Sequence, residues 1–252
     1  MANILFKKSY LHKTLNNIAY DNLWHTKGVF TTIRLIGSPP KFIFLKEHLR
    51  NINQSLKKMN INYILKSSTF KNLLKNKLKE NIKYDHLLRL AINNKKISIT
   101  LRKCLKSTTS FKGILVNYQR PNPSIKNLNY KKILGYLKSI NTQSYEIILM
   151  NKKNILEGCT TNIICVKNKK LYLPKTNYYF GITLKFIVSH TKRRIIKQNI
   201  YLKDLDSFDE ILLVGSGKGV VRLQSIQQVK WNNKSCIVFK ELQDLYNSYI
   251  IR

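Results

Sequence analysis

The sequence predicts a two-domain fold of mixed α and β elements, and three features lead there. Runs of β-branched and aromatic residues, such as V-F-T-T-I-R-L-I at 29–36, alternate with stretches of helical spacing, such as 47–59 with apolar residues at 49, 52, 56 and 59. The proline-dense stretch Q-R-P-N-P-S at 119–124 lies near the middle, with both element types on each side. A chain of 252 residues is long enough for one large core or two smaller ones. The expected layout is a small N-terminal α/β domain over 1–118, an interdomain linker over 119–124 and a C-terminal domain over 125–252.

Taken in order, residues 1–20 are weakly patterned and read as a short strand and turn. The strand 29–36 is followed by the turn Gly37-Ser38-Pro39-Pro40 and a partner strand at 41–45. Helices are expected over 47–59 and 70–82, the second rich in lysine, then strands at 87–92, 97–102 and 113–118 after a polar loop at 105–112. Beyond the linker come a helix at 128–140, strands at 146–150, 155–166 and 170–173, and a long helix at 183–197. A strand at 210–214, a glycine-rich turn at 215–219, a strand at 220–226 and a closing helix at 236–249 complete the chain.

Composition narrows the function classes. Lysine and arginine number 46 against 12 acids, a net charge of +34, a field that attracts anions of any kind. The lysines are spread along the whole length among asparagine and isoleucine, residues that share A/T-rich codons, and no RNP-type strand or KH-type loop accompanies them. A specific nucleic-acid partner is therefore not expected. No run of eighteen apolar residues is present, so no membrane span is expected either. The opening M-A-N-I-L-F-K-K is too short in apolar residues for a signal peptide, and the expected location is cytoplasmic. Cys104, Cys159, Cys165 and Cys236 form no C-x-x-C pair and have no histidine at ligand spacing, which reads as free thiols and no metal site.

The stretch I-L-E-G-C-T-T-N-I-I-C-V at 155–166 carries the strongest functional signal. A lone carboxylate on an apolar background, Glu157, needs a partner or a function, because burying it unpaired is prohibitively costly. Upstream lies I-K-N-L-N-Y at 125–130 and downstream F-G-I-T at 180–183, with F-T-T-I-R at 30–34 before them and S-G-K-G-V-V at 216–221 after. Five pieces in this order, spread over about residues 25 to 226, resemble the class IV (fold-type IV) pyridoxal-phosphate enzymes, which include branched-chain and D-amino-acid aminotransferases and aminodeoxychorismate lyase.

The resemblance implies pyridoxal 5′-phosphate as cofactor, an active site between the two domains and a homodimer. It makes Lys126 the Schiff-base lysine, a role that needs a neutral amine and hence a depressed pKa. Glu157 faces the pyridine nitrogen and keeps the ring an electron sink. Tyr130 bonds the phenolic oxygen, and Thr161 joins the cofactor-binding set. Ile182 and Thr183 offer helix-start amides and a hydroxyl to the phosphate, with Ser216 adding a second hydroxyl. In isolation each has a plainer reading: a surface lysine, a turn acid, a core tyrosine, an ordinary helix start and a tight turn.

Two positions depart from the family pattern. The family arginine three residues beyond the helix-opening histidine, here His48, is replaced by Asn51, with Arg50 one place early. One residue turns a helical side chain by about a hundred degrees, so Arg50 is not a direct substitute. The family's I-T-R is here I-T-L, with Lys185 one place later.

Within the family, F-T-T is closer to the lyases than to the F-E-G or Y-E-V of the aminotransferases, and there Thr32 would relay a proton during catalysis. The expected activity is thus 4-amino-4-deoxychorismate lyase, releasing pyruvate and 4-aminobenzoate for folate synthesis, on a small anionic amino-acid-like substrate. Branched-chain or D-amino-acid aminotransferase is the alternative, and a degenerate basic binding protein on the same fold the third. No motif marks the arginine for the substrate carboxylate; Arg89, Arg102 and Lys95 are the candidates.

Overall fold

The computed structural model describes residues 4–105 and 108–251. It divides into two compact units, Met1–Leu105 with Ile125–Lys131, and Lys106–Ser124 with Lys132–Arg252.

The first unit contains strands β1 (Ile4–Leu11), β2 (Asn17–Ile18), β3 (Gly28–Gly37), β4 (Lys41–Phe42), β5 (Tyr84–Asn93) and β6 (Lys96–Lys103). They form one antiparallel sheet in the order β2-β1-β6-β5-β3-β4. Helices α1 (Leu45–Lys58) and α2 (Ser67–Leu74) belong to the same unit. Alternation along β3 decides which face is covered: Val29, Ile33 and Leu35 join Leu88, Leu90 and Ile92 of β5 in a core with Leu49, Ile52 and Leu56 of α1. The opposite face carries Phe30 and Thr32, with Arg89 opposite Thr32 in register.

The second unit is built on a ten-stranded sheet. Its strands are β7 (Ser110–Asn117), β8 (Tyr145–Asn151), β9 (Asn154–Gly158), β10 (Asn162–Lys167), β11 (Lys170–Pro174), β12 (Ile195–Gln198), β13 (Ile200–Tyr201), β14 (Glu210–Gly215), β15 (Gly219–Ile226) and β16 (Trp231–Asn232). The order is β12-β11-β10-β14-β15-β7-β8-β9-β13, with β16 on β15; β7 runs parallel to both β8 and β15. Helices α3 (Lys131–Lys138), α4 (Ile182–His190) and α5 (Ile237–Ile251) complete the element order. Residues such as Phe111, Ile163, Cys165, Leu213, Leu223 and Trp231 form the core. Glu210, 1 % exposed, closes the start of α5 by accepting from the amides of Val238 and Phe239 at 3.0 and 2.7 Å.

The units divide elsewhere than the sequence suggested. β7 was expected before the linker, yet its two parallel neighbours bind it into the second sheet. Residues 125–131 were expected after the linker, but they line the free edge of β3: the Phe30 amide donates to the Lys126 carbonyl and the Leu128 amide to the Gly28 carbonyl, both at 2.9 Å. Lys126 and Tyr130 therefore belong to the first unit.

Several elements are shorter than expected. The helix at 70–82 ends at Leu74, because Lys75 is extended and Asn76 is left-handed at φ 59°. The helix at 183–197 ends at His190; Thr191 turns extended, and Ile195–Gln198 pairs parallel with β11 instead, where β-branched residues suit a pleated surface. The strand at 41–45 is only two residues long before left-handed Phe44 leads into α1. The helix expected from 128 begins at Lys131, since the preceding residues are held on β3. The run 155–166 is two strands, divided by a turn in which the Gly158 amide donates to the Thr161 carbonyl at 2.9 Å. Residues 106–107 of the polar loop lie outside the described residues.

Candidate active site

In the first unit, Lys126 lies beside an aromatic cluster. Its ammonium lies 5.1 Å over the Phe30 ring. Tyr130, 7 % exposed, meets Phe30 edge-on at 5.1 Å and stacks on Trp24 at 5.5 Å, so it precedes α3 as a packed aromatic instead of riding on that helix. The Arg89 guanidinium lies 3.8 Å over Trp24 and 5.7 Å over Phe30, with Nη2 donating to the Asn22 carbonyl at 2.7 Å. Burial lowers its pKa to about 10, and its buried Nε has no hydrogen-bond partner among the described residues. Thr32 is half-buried and shares the sheet face of Phe30, two residues away. Of the other two carboxylate candidates, Arg102 is half-buried on β6, paired with Leu87, and Lys95 is exposed in the β5–β6 turn.

Behind that face, Thr31 and His48 are both buried, and Thr31 Oγ1 lies 2.6 Å from Nδ1 of His48. Burial, assisted by the Lys126 charge, pushes the His48 pKa down to about 3, so the ring is neutral throughout the physiological range. Arg50 is exposed and Asn51 half-buried, as expected for side chains a third of a turn apart.

In the second unit, the remaining sequence-derived residues gather around two turns. Glu157 is the next-to-last residue of β9, 3 % exposed, and is held by Arg120, itself 6 % exposed. Arg120 Nε donates to Oε1 at 2.9 Å, and Nη2 donates to Oε1 at 2.7 Å and Oε2 at 2.6 Å. The Tyr179 amide donates to Oε2 at 3.1 Å. The carboxylate that the sequence singled out is thus paired, and its partner comes from the segment read as a linker.

Asn162 connects the turn to the helix start. Its Nδ2 donates to the Tyr179 carbonyl, and its Oδ1 accepts from the Gly181 amide at 3.1 Å. This fixes the entry to α4, where Ile182 and Thr183 are the first two residues and no side chain caps the helix. First-turn amides have no intrahelical acceptor and carry the positive end of the helix dipole. Thr183 is 2 % exposed and Thr161 6 % exposed, and neither Oγ1 has a hydrogen-bond partner among the described residues. Buried hydroxyls left in this state are costly unless something else meets them.

The glycine-rich turn approaches the same place. A Cβ on Gly215 would lie 3.1 Å from the Thr160 carbonyl and 3.6 Å from Thr161 Cγ2. Half-buried Ser216 follows it directly. Lys218 of this turn forms a buried ion pair with Glu146, which also accepts from the Thr160 amide at 3.0 Å and hydroxyl at 2.8 Å. Glu157, Thr161, the α4 start and the Ser216 turn are therefore connected through one set of contacts in one unit. Unpartnered buried hydroxyls, uncapped amides and closely packed glycines fit a phosphate-bearing group.

Sequence reasoning missed Arg120, Asn162 and the Glu146–Lys218 pair. Arg120 had one usable signal, an arginine kept where lysine is the prevailing base. Among the described residues no group of three or more histidine, cysteine, aspartate or glutamate residues could hold a metal, and no helix is long and apolar enough to cross a membrane. The four cysteines are free, and burial pushes the thiols of Cys104, Cys159 and Cys165 up.

A mixed-sheet unit in which a buried glutamate stands beside a helix start with no side-chain cap, and in which two buried hydroxyls have no partner among the described residues, has the make-up of an α/β protein that can hold an anionic group. The model of the class IV aminotransferase family matches residues 28–226, and the chain belongs to that family. The sequence matches none of the curated proteins compared. Among solved structures it is similar to the branched-chain aminotransferase of the thermophilic archaeon Thermoproteus uzoniensis with norvaline, with TM-score 0.79 and 16% identity over 97% of this chain and 94% of that one. A candidate 4-amino-4-deoxychorismate lyase from Legionella pneumophila gives TM-score 0.77 and 18% identity over 95% and 98%. A hypothetical aminotransferase from Mycobacterium tuberculosis, in a PLP-bound form, gives 0.76 and 14% over 97% and 100%. These likenesses establish the fold.

Proposed function

We propose that this chain is a pyridoxal-phosphate-dependent 4-amino-4-deoxychorismate lyase that releases pyruvate and 4-aminobenzoate, acting as a homodimer in the cytoplasm and supplying folate synthesis. The observation that carries the reading is Thr32: a half-buried hydroxyl two residues from the Phe30 ring over which the Lys126 ammonium lies. F-T-T at this strand resembles the lyases, and one of the similar structures carries that description.

When bound, the cofactor supplies an electron sink for charge developing on the substrate carbon that bears the amino group. Lys126 provides the amine that bonds to it, Glu157 the carboxylate for its ring nitrogen, and Tyr130 the phenol for its ring oxygen. The amides of Ile182 and Thr183 and the hydroxyls of Thr161, Thr183 and Ser216 receive the phosphate, without the arginine that Asn51 replaces. Lys126 Nζ, once released as the free amine, would take the proton from the amino-bearing carbon, and the bond between the adjacent ring carbon and the enolpyruvyl oxygen would break. Thr32 Oγ1 relays that proton to the methylene carbon of the departing enolpyruvate, giving the methyl group of pyruvate and an aromatic ring. Arg89, half-buried on aromatic faces beside Thr32 and with an unpartnered Nε, is the choice for a substrate carboxylate.

Aminotransferase activity is the second reading, favoured by the branched-chain enzymes among the similar structures. The two diverge in where the proton on Lys126 Nζ goes next. Purified, cofactor-loaded protein given 4-amino-4-deoxychorismate should release equal 4-aminobenzoate and pyruvate. Amino-group transfer to 2-oxoglutarate without pyruvate release would replace the lyase reading with the second one.

A further inference from the structure

Glu157 sits near the end of β9 with 3 % of its surface exposed, where an unpaired carboxylate would take up a proton to escape the cost of charge burial. A protonated acid presents a neutral group to a ring nitrogen and cannot stabilise a positive charge there. Protonation is opposed by the bidentate guanidinium of Arg120 at 2.6–2.9 Å and the Tyr179 amide at 3.1 Å, all donating to the carboxylate.

The neighbouring titratable groups do not supply such a charge. Tyr178 and Cys159 feel the Glu157 carboxylate, but burial first, and that charge with it, raise both pKa values and leave them neutral. Glu146 and Lys218, which act on Cys159 from β8 and the glycine-rich turn, are committed to each other. Arg120 also lies 6.0 Å from the centre of the Tyr179 ring, the residue whose amide caps the same carboxylate.

We propose that Arg120 is a positioning residue for the cofactor, holding Glu157 ionised and fixed in orientation so that a carboxylate meets the ring nitrogen. This rests on the reading of Glu157 as that nitrogen's partner. Arg120 acts through Glu157 and touches no reacting atom. Its location in Q-R-P-N-P-S makes that segment part of the site and more than a connector.

The test is the affinity of the apoprotein for pyridoxal 5′-phosphate between pH 6 and 9, read from the visible absorbance of the bound cofactor and from quenching of protein fluorescence. The chains compared are the unaltered protein, Arg120→Met, Arg120→Lys, Glu157→Gln and the Arg120→Met/Glu157→Gln double variant. At pH 7 Arg120→Met should bind about ten-fold or more weakly. Its affinity should recover towards pH 9 relative to the unaltered protein, as the carboxyl that has lost its guanidinium ionises. Arg120→Lys should restore most of the affinity, and the double variant should be weak at every pH. Arg120→Gln, neutral but able to donate a hydrogen bond, serves the same comparison should the methionine variant fail to fold. If Glu157→Gln weakens binding while the neutral Arg120 variants follow the unaltered protein at every pH, the role of Arg120 is refuted and that of Glu157 stands. The same refutation follows if the double variant recovers with pH as Arg120→Met does. If Glu157→Gln itself changes neither affinity nor spectrum, the underlying reading fails and Arg120 with it.

Discussion

Thr31 Oγ1 lies 2.6 Å from Nδ1 of His48, joining β3 to α1 through two side chains that water does not reach. With the His48 pKa at about 3, the folded chain binds fewer protons there than the unfolded one between about pH 3 and 6.5. Stability therefore falls as pH is lowered through that window and is unaffected by this group above it. From pH 7 to 5 the loss should be about 2 kcal/mol. Urea unfolding at both values measures it, and His48→Gln should remove most of the difference.

Thr183→Val separates folding from binding. The substitution removes a buried hydroxyl that has no partner among the described residues, so the apoprotein should be as stable as before or about 1 kcal/mol more so. Cofactor affinity should nevertheless fall about ten-fold. Thermal unfolding of the apoprotein and a cofactor titration give the two numbers.

Gly158→Ala addresses the turn that carries Glu157. A Cβ there would lie 2.3 Å from Thr161 Oγ1 and 3.1 Å from the Glu146 carboxylate, so the turn must shift. A loss of about 1–3 kcal/mol is expected in denaturant unfolding, with weakened cofactor binding beside it.

Lys218→Met leaves the Glu146 carboxylate, 1 % exposed, without its cation and, among the described residues, with the Thr160 donors named above. Removing one member of a buried pair costs about 3–5 kcal/mol. Adding Glu146→Gln should restore much of that, because the remaining amide carries no charge. A double-mutant cycle in urea checks the coupling.

The sequence made the local strands and the order of the site segments legible, because the β-branched and apolar runs of β3, β5 and β14 and the run before Asn162 are properties of neighbouring residues. It did not show that 126–128 would line the edge of β3, since that edge is left open by β4 stopping at Phe42. The helix extended past His190 was misleading for a related reason: Ile195–Gln198 is apolar enough for either structure, and the neighbouring β11 decides. Arg120 was passed over because a partner 37 residues away cannot be read from spacing. Its pairing with Glu157 exists only once β9 and the preceding segment are folded together.

Most depends on Lys126 being the lysine that bonds to the cofactor. A chain with this excess of lysine tests the claim severely, since surface amines also react with an aldehyde. The protein should be loaded with pyridoxal 5′-phosphate, reduced with borohydride, digested and mapped by mass spectrometry. One phosphopyridoxyl group per chain, on Lys126 and absent from the Lys126→Ala protein, is the predicted result. Labelling scattered over exposed lysines with Lys126 unmodified would contradict it.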